Sequence, residues 1–394
     1  MPKAFDVRAL ASTVRIELDD SLSSAEQTSI KAQWVDLAQD VDGEPDYLIR
    51  AGLNGHPASD PSGVIQASSP EALAQRITTE VTIAAMGGLR GEALMLHASA
   101  VAFDDGRVIG FVGPSGRGKT TAAQVLGRSF GYVTDETLAV RGDGTVVAYP
   151  KPLSIGSMPQ VKLTEPASSL GLREVPANGL RLAALVLLDR RSEVEQPYFE
   201  QVPITEAVAA LVRHTSHFAE LPHPLRTLVE TVLSTGGLRR VVYSEAATLS
   251  ALAEDLLQQS EDDAPVLTEI ARLSERDCDC FPDLISDHQH EGAPTTEPVS
   301  ALGADRPGTY RRATYVDALM VDDSLMVLVF GKVVVLDGVG PILWLAADGL
   351  TVAELREVAT RQLPEPPTSV DVDGVIADAL SRMEGANLLV KTRP

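Results

Sequence analysis

The stretch "GPSGRGKTT", Gly113 to Thr121, fits G-x-x-x-x-G-K-[ST] and stands between "RVIGFV" at 107–112 and "TTAAQVLGRSF" from Thr120 onward. Few folds accept such a run. The apolar stretch before it reads as a buried strand and the stretch after it as a helix. The loop between them reads as a cradle whose backbone N–H groups point at an anion in front of the helix N-terminus. Gly113, Gly116 and Gly118 supply the backbone freedom such a loop needs, with Pro114, Ser115 and Arg117 between them. Lys119 has the reach for the β- and γ-phosphates of a nucleotide. The Thr120 hydroxyl suits a Mg²⁺ ligand, and Thr121 follows it in the first helical turn. ATP and Mg²⁺ are therefore the expected cofactors, and an α/β P-loop layer is the expected fold.

A chain of 394 residues has room for two or three domains, each with its own core. Its net charge of −22 would repel nucleic-acid phosphates and anionic lipid, so neither nucleic acid nor a membrane surface is an expected partner. The run "LAALVLL" at 182–188 is too short to span a bilayer, and "MPKAFDVRAL" lacks the apolar core of a signal peptide. Two cysteines cannot build a disulfide framework. Together these point to a cytoplasmic protein.

Residues 1–90 read as an α+β segment packing on the nucleotide-binding core. In it "DVRAL", "VRIELDD" and "DYLIRAGL" are strands, and the helix after Ser69 has Pro70 at its first position and a Gly-Gly stop. Residues 91–258 alternate short apolar runs with helical ones, the pattern of an α/β core. Residues 259–308 are acidic and rich in Pro and Gly, a linker with room for one short helix at "PVLTEIARLSE". Residues 309–394 form a small α+β module. "ATYVDALMV", "SLMVLVF" and "KVVVLDG" are its strands, Thr351 and Glu354 form a capping box, and "NLLV" closes it. In "VDGVIADALSRM", Val375, Ile376, Ala379, Leu380 and Met383 share a helix face.

An ABC-type ATPase shares the spelling of the loop, and "LVLLD" ending at Asp189 imitates a Walker B strand. The ABC signature would have to precede that strand, whereas the nearest imitation, "LSTGG" at 233–237, follows it. The flanks of the loop say more. "LMLHASAVAF" puts His97 one strand before it, and "GYVTDETLAV" puts Asp135 and Glu136 at a strand end about fifteen residues after Lys119. A carboxylate beside a nucleophile and charge neutralisation around a phosphate are what phosphoryl transfer requires.

This compressed order of His strand, loop and acidic pair resembles the HPr kinase/phosphorylase family and, more distantly, the ATP-dependent phosphoenolpyruvate carboxykinases. The resemblance covers roughly residues 90–255. It implies that Lys119 and the loop bind the ATP phosphates and that Thr120 and Glu136 hold Mg²⁺. It makes Asp135 the general base, with His97 beside it. The roles of Asp135 and Glu136 as base and metal ligand are interchangeable at this stage. This chain has Asp-Glu where the family has Asp-Asp, Ala98 where it has Gly after the His, and no RG-x-G segment. Those departures resemble the HPr-kinase-like proteins found beside peptide-natural-product genes, including the lasso-peptide kinases.

Other groups have two readings each. Arg190 and Arg191 could face a phosphate or be solvated strand-end charges. Arg213, His214 and His217 could line a substrate cleft or lie on the surface. Cys278, Cys280, His288 and His290 could ligate a metal or sit in a solvated loop, their spacing matching no recurrent zinc pattern.

The run "LVFGKVVVLDGVGPILWLAADGLTVAEL" resembles the PqqD family, a winged-helix-like α+β unit that captures leader peptides in ribosomal-peptide biosynthesis. The resemblance implies a leader lying as an added strand against Lys332, Val333, Val334, Val335, Leu336 and Asp337, with its side chains reaching Ile376, Leu380 and Met383. A module that only stabilises or dimerises the chain is the other reading. The two resemblances together imply a kinase for a Ser or Thr hydroxyl of a precursor peptide, working beside other peptide-modifying enzymes, with homo-oligomerisation open. A nucleotide-gated peptide chaperone and a small-molecule kinase of the same fold are the alternatives.

Overall fold

The computed structural model describes residues 3–40, 43–54, 64–114, 116, 118–156, 162–257, 267–269, 306–363 and 371–392. The chain divides into two compact units, Met1–Ala264 and Pro265–Pro394.

The first unit begins with β1 (Lys3–Ala9), β2 (Ser12–Leu18), α1 (Ser24–Ala32), β3 (Ala38–Gln39), β4 (Tyr47–Leu53), β5 (Val64–Ala67) and α2 (Pro70–Gly87). The strands make one sheet in the order β3-β1-β2-β4-β5. Ser69 caps α2 by accepting from the Ala72 N–H at 3.2 Å, Pro70 opens it, and Gly88 ends it. Leu73, Ile77, Val81 and Ala85 recur every four residues and bury one face of α2. Their cluster includes Trp34 and continues into Met95, Ala139 and Tyr149 of the following layer. The N-terminal segment thus shares a core with what comes next.

That next layer holds β6 (Ala93–Ala102), β7 (Arg107–Val112), α3 (Lys119–Leu126), β8 (Gly131–Thr134), β9 (Thr137–Arg141), β10 (Val146–Val147), β11 (Leu153–Ile155) and β12 (Leu163–Glu165). It continues with β13 (Arg181–Arg190), β14 (Tyr198–Val202), α4 (Ile204–Val212), β15 (Thr215–Ser216), α5 (Pro224–Ser234), β16 (Leu238–Tyr243) and α6 (Leu249–Leu252). The main sheet runs β10-β9-β6-β7-β13-β16-β14, with β8 and β15 also paired to β6. The strands β7, β13 and β16 are parallel, and their near-continuous apolar runs are buried on both faces. β6 runs antiparallel to β7. No helix among the described residues is long and apolar enough to cross a membrane.

The second unit contains β17 (Leu267–Glu269), β18 (Thr309–Arg312), β19 (Asp317–Val321), β20 (Ser324–Val329), β21 (Lys332–Leu336), α7 (Gly340–Ala346), β22 (Asp348–Thr351), α8 (Val352–Gln362), α9 (Val372–Gly385) and β23 (Leu389–Lys391). Its sheets are β17-β19-β20-β21 and β22-β18-β23. Phe330 and Gly331 both take positive φ, 47° and 69°, the geometry of a tight hairpin between β20 and β21. Thr351 and Glu354 form a reciprocal capping box at α8.

The short helix anticipated at "PVLTEIARLSE" does not form at its described residues. Leu267–Glu269 is instead a strand antiparallel to β19, with Leu267 opposite Val321. An edge strand offers a row of unpaired N–H and C=O groups, and an extended segment satisfies them where one helical turn could not. The expected linker 259–308 therefore contributes a strand to the second unit's sheet. Cys278, Cys280, His288 and His290 lie outside the described residues.

Gly110 sits in the middle of β7, where an added Cβ would collide with Leu138 and lie 3.1 Å from Leu185 Cδ2. Overpacking of this kind costs about 1–3 kcal/mol. Gly110→Val is expected to lower the unfolding free energy by that amount, read as a lower urea midpoint at an unchanged m-value by far-UV circular dichroism.

Candidate functional site

Two strand registers place the sequence-predicted residues together. β6 pairs with β7 so that Ala98 faces Val112, which sets His97 beside the start of the glycine loop. On its other edge β6 pairs with β9, His97 facing Thr137, and the Ala98 N–H donates to the Glu136 carbonyl at 3.0 Å. Between β8 and β9 the ladder opens because the Thr134 hydroxyl accepts from the N–H groups of Glu136 and Thr137, both at 3.2 Å. Asp135 and Glu136 occupy that opening.

Within the loop, Gly116 and Gly118 take left-handed φ, 77° and 96°, and Gly118 stands at the N-terminus of α3. That conformation is open to glycine at little cost. Gly113 does not adopt it. Ser115 and Arg117 lie outside the described residues. Lys119 is buried and folds back along the loop, donating to the carbonyls of Gly113 at 2.6 Å and Pro114 at 3.3 Å. Burial lowers its pKa, although Asp135 and Glu136 pull it upward.

A cleft of about 590 Å³ opens here, in the size range of small-molecule sites. His97, Gly116, Gly118, Lys119, Thr120, Thr121, Asp135 and Glu136 line it. Gln124, Lys151, Ser154, Ile155, Gly156, Lys162 and Arg190 line it as well. Arg190 reaches the cleft while its guanidinium holds the Ser244 carbonyl at 2.7 Å and Glu245 at 3.1 Å. Arg191 turns to Asp189 at 2.7 Å, so the imitation Walker B carboxylate is spent on an ion pair.

The residue missed from the sequence is Lys151. Only 3% of its side chain is exposed, and its ammonium lies 3.0 Å from Asp135 Oδ1 and 3.1 Å from Glu136 Oε2. Burial would lower its pKa, but the two carboxylates, with Tyr149 nearby, more than offset this and raise it above the ordinary lysine value. The single Tyr132 O–H is shared between Asp135 Oδ1 at 3.2 Å and the Lys151 carbonyl at 3.3 Å. Burial, with Asp135 alongside, pushes that phenol well above its usual value. The Tyr149 hydroxyl pairs with Thr82 of α2 at 3.0 Å. In the sequence, the only sign of Lys151 is its position between Pro150 and Pro152, which restricts it to extended backbone.

β15 pairs with β6 at Met95 and Leu96, and the His97 N–H donates to the His214 carbonyl at 2.6 Å. This puts His214 behind the cleft. His217 instead turns to Glu220 at 2.8 Å. Partial burial and the Lys119 ammonium lower the pKa of both His97 and His214, so both are neutral at pH 7.

In the second unit, β21 is an edge strand paired only with β20 among the described residues. Lys332 and Asp337 are exposed, and Val333, Val334, Val335 and Leu336 are half-buried. The expected peptide contacts on α9 are corrected by the packing. Ile376, Leu380 and Met383 are 1–2% exposed and belong to the unit's own core, closed off beneath Trp344, Leu355 and Leu389. Val375, expected on their face, is 48% exposed. A helix with an i, i+4, i+7 stripe spends that stripe on its own domain first.

No family model matches the chain, and no curated protein does. Among solved structures it is similar to the HPr(Ser) kinase/phosphatase from Coxiella burnetii, at 12% identity, over 41% of this chain and 93% of that chain, with a TM-score of 0.24. A likeness at that level carries no argument about activity.

The two depressed histidines give a pH dependence, carried mainly by the half-buried His214, because His97 is exposed at the cleft and water screens its share. Their folded pKa lies below the ordinary 6.5, so the unfolded chain binds more protons in that range. Stability is full above 6.5 and is lost as pH falls through the folded values. Melting temperature is expected to drop between about pH 7.5 and about pH 5.5, and less steeply in a His97→Gln/His214→Gln variant.

Proposed function

We propose that the first unit is an ATP- and Mg²⁺-dependent phosphotransferase acting on a Ser or Thr hydroxyl of a ribosomally made precursor peptide, which the second unit recruits by its leader. The observation that carries this reading is the meeting, in one cleft, of Lys119, the N-terminus of α3 and the Asp135–Glu136 pair.

The oxygen donors present suit Mg²⁺. The Thr120 hydroxyl and Glu136 line the same cleft, and Glu136 Oε1 and Asp135 Oδ2 keep no protein hydrogen bond among the described residues. Thr120 and Glu136 would hold the ion, which when bound neutralises charge on the triphosphate. Lys119 and the α3 N-terminus bind the phosphates and orient the γ-phosphoryl group. Asp135, fixed by Tyr132 and only 6% exposed, takes the proton of the acceptor hydroxyl as its oxygen attacks the γ-phosphorus, and ADP leaves. The neutral His97 stands beside this proton transfer. Arg190 and Lys162 add positive charge to the lining of the cleft.

For the second unit, support comes from the free edge of β21, which can accept a peptide as a further strand. With Ile376, Leu380 and Met383 in the core, recruitment rests on main-chain pairing along β21. Tethering of this kind raises the effective concentration of the acceptor residue at the γ-phosphate.

The test incubates the full chain with γ-labelled ATP, Mg²⁺ and the precursor peptide encoded nearest its gene, read by mass spectrometry. One added phosphate is expected, slowed at least about 100-fold by Asp135→Asn. Val335→Pro removes an N–H that points to the free edge of β21, since Val335 faces Met326 in a non-hydrogen-bonded pair, and is expected to raise the peptide KM about tenfold with kcat preserved. ATP binding with an unmodified peptide would favour a nucleotide-gated chaperone. Transfer to the peptide with Val335→Pro silent would remove the recruitment role.

A further inference from the structure

The proposed transfer makes no use of the Lys151 ammonium, yet the fold goes to some length to place it. Its Nζ donates to the Pro152 carbonyl at 3.2 Å and forms ion pairs with Asp135 Oδ1 at 3.0 Å and Glu136 Oε2 at 3.1 Å. An ammonium paired with both acids cannot turn to a substrate phosphate without releasing a carboxylate. It also stands about equally far from both acids, where a cation bridging the pair would stand. Proline on either side limits the backbone, and the side chain is closed from solvent. One positive charge against two carboxylates leaves the pair with a single net negative charge. Asp135 Oδ2 and Glu136 Oε1 remain for other partners.

We propose that Lys151 is a positioning residue that fills the bridging place between Asp135 and Glu136 as a built-in cation, so that the pair serves a single divalent ion and binds it strongly only together with nucleotide. The inference rests on the divalent-ion part of the proposed function. It adds that the site has no room for a second ion between its acids and that the pair alone is a weak chelator.

The test is Mn²⁺ binding by electron paramagnetic resonance on the full chain, with and without a nonhydrolysable ATP analogue and with no peptide present. Wild type is expected to bind one Mn²⁺ with the analogue and to bind it about tenfold more weakly without. Lys151→Met restores the second negative charge and is expected to tighten nucleotide-free Mn²⁺ binding by about tenfold. Lys151→Arg keeps the charge and is expected to stay within about threefold of wild type. A merely structural lysine would leave the affinity unchanged or weakened on removal, and either result in a folded Lys151→Met chain overturns the proposal. So does a second Mn²⁺ on wild type. Wild type that binds no Mn²⁺ even with the analogue overturns the phosphotransfer reading itself.

A measurement on wild type covers the case in which Lys151→Met does not fold. Lysine-selective ¹⁵N labelling should give a protected ammonium resonance that is absent from Lys151→Arg and persists when Mg²⁺ and the analogue are added. Its absence from wild type, or its loss on that addition, would show that the lysine does not keep the bridging place.

Discussion

Strand β6 has to satisfy two ladders at once. On one edge it pairs with β7, which feeds the glycine loop, and on the other it pairs with β8 and β9, which flank the acidic pair. Side chains on a strand alternate faces, so the register on each edge fixes which residues can meet. His97, the loop and the Asp135–Glu136 step converge because both registers agree at His97 and Ala98. The small residues of β6, Ala98, Ser99, Ala100 and Ala102, let the sheet stay closely packed there.

The electrostatics of the cleft follow from this convergence. Two adjacent carboxylates, one of them nearly closed from water, are costly to bury unless paired. Lys151, Tyr132 and the open rim at Glu136 share that task. Removing one member of a buried ion pair typically costs about 3–5 kcal/mol, since the partner charge is left behind. The loop lysine is held by a different means, two backbone carbonyls, so the two lysines of the wall are not interchangeable. One belongs to the loop and the other to the acids.

The strand–loop–helix unit was legible because its signals are local: an apolar β-branched run, glycines at fixed offsets, and a helix beginning at Lys119. The caps at Ser69 and Thr351 were legible for the same reason. Lys151 was not, because its partners lie about fifteen residues upstream and only the sheet brings them near. His214 came to lie behind His97 through the β15–β6 pairing, which no local pattern announces. The α9 stripe was legible as apolar but not as core, since periodicity gives a face and not what covers it. Leu267–Glu269 formed a strand because β19 offered an edge, a tertiary circumstance that outweighed helix-like spacing.

The bond between Thr82 and Tyr149 bears on how this chain could be cut. Tyr149 stands next to Lys151, while Thr82 belongs to α2, and the α2 core runs on into Met95 and Ala139. A minimal fragment starting at residue 91 would keep every side chain of the cleft and still lose the floor on which the acidic pair's cation rests. It would also bare the apolar underside of β6 and β9. The first ninety residues are thus foundation rather than ornament, and the smallest workable form of the first unit begins at its first strand.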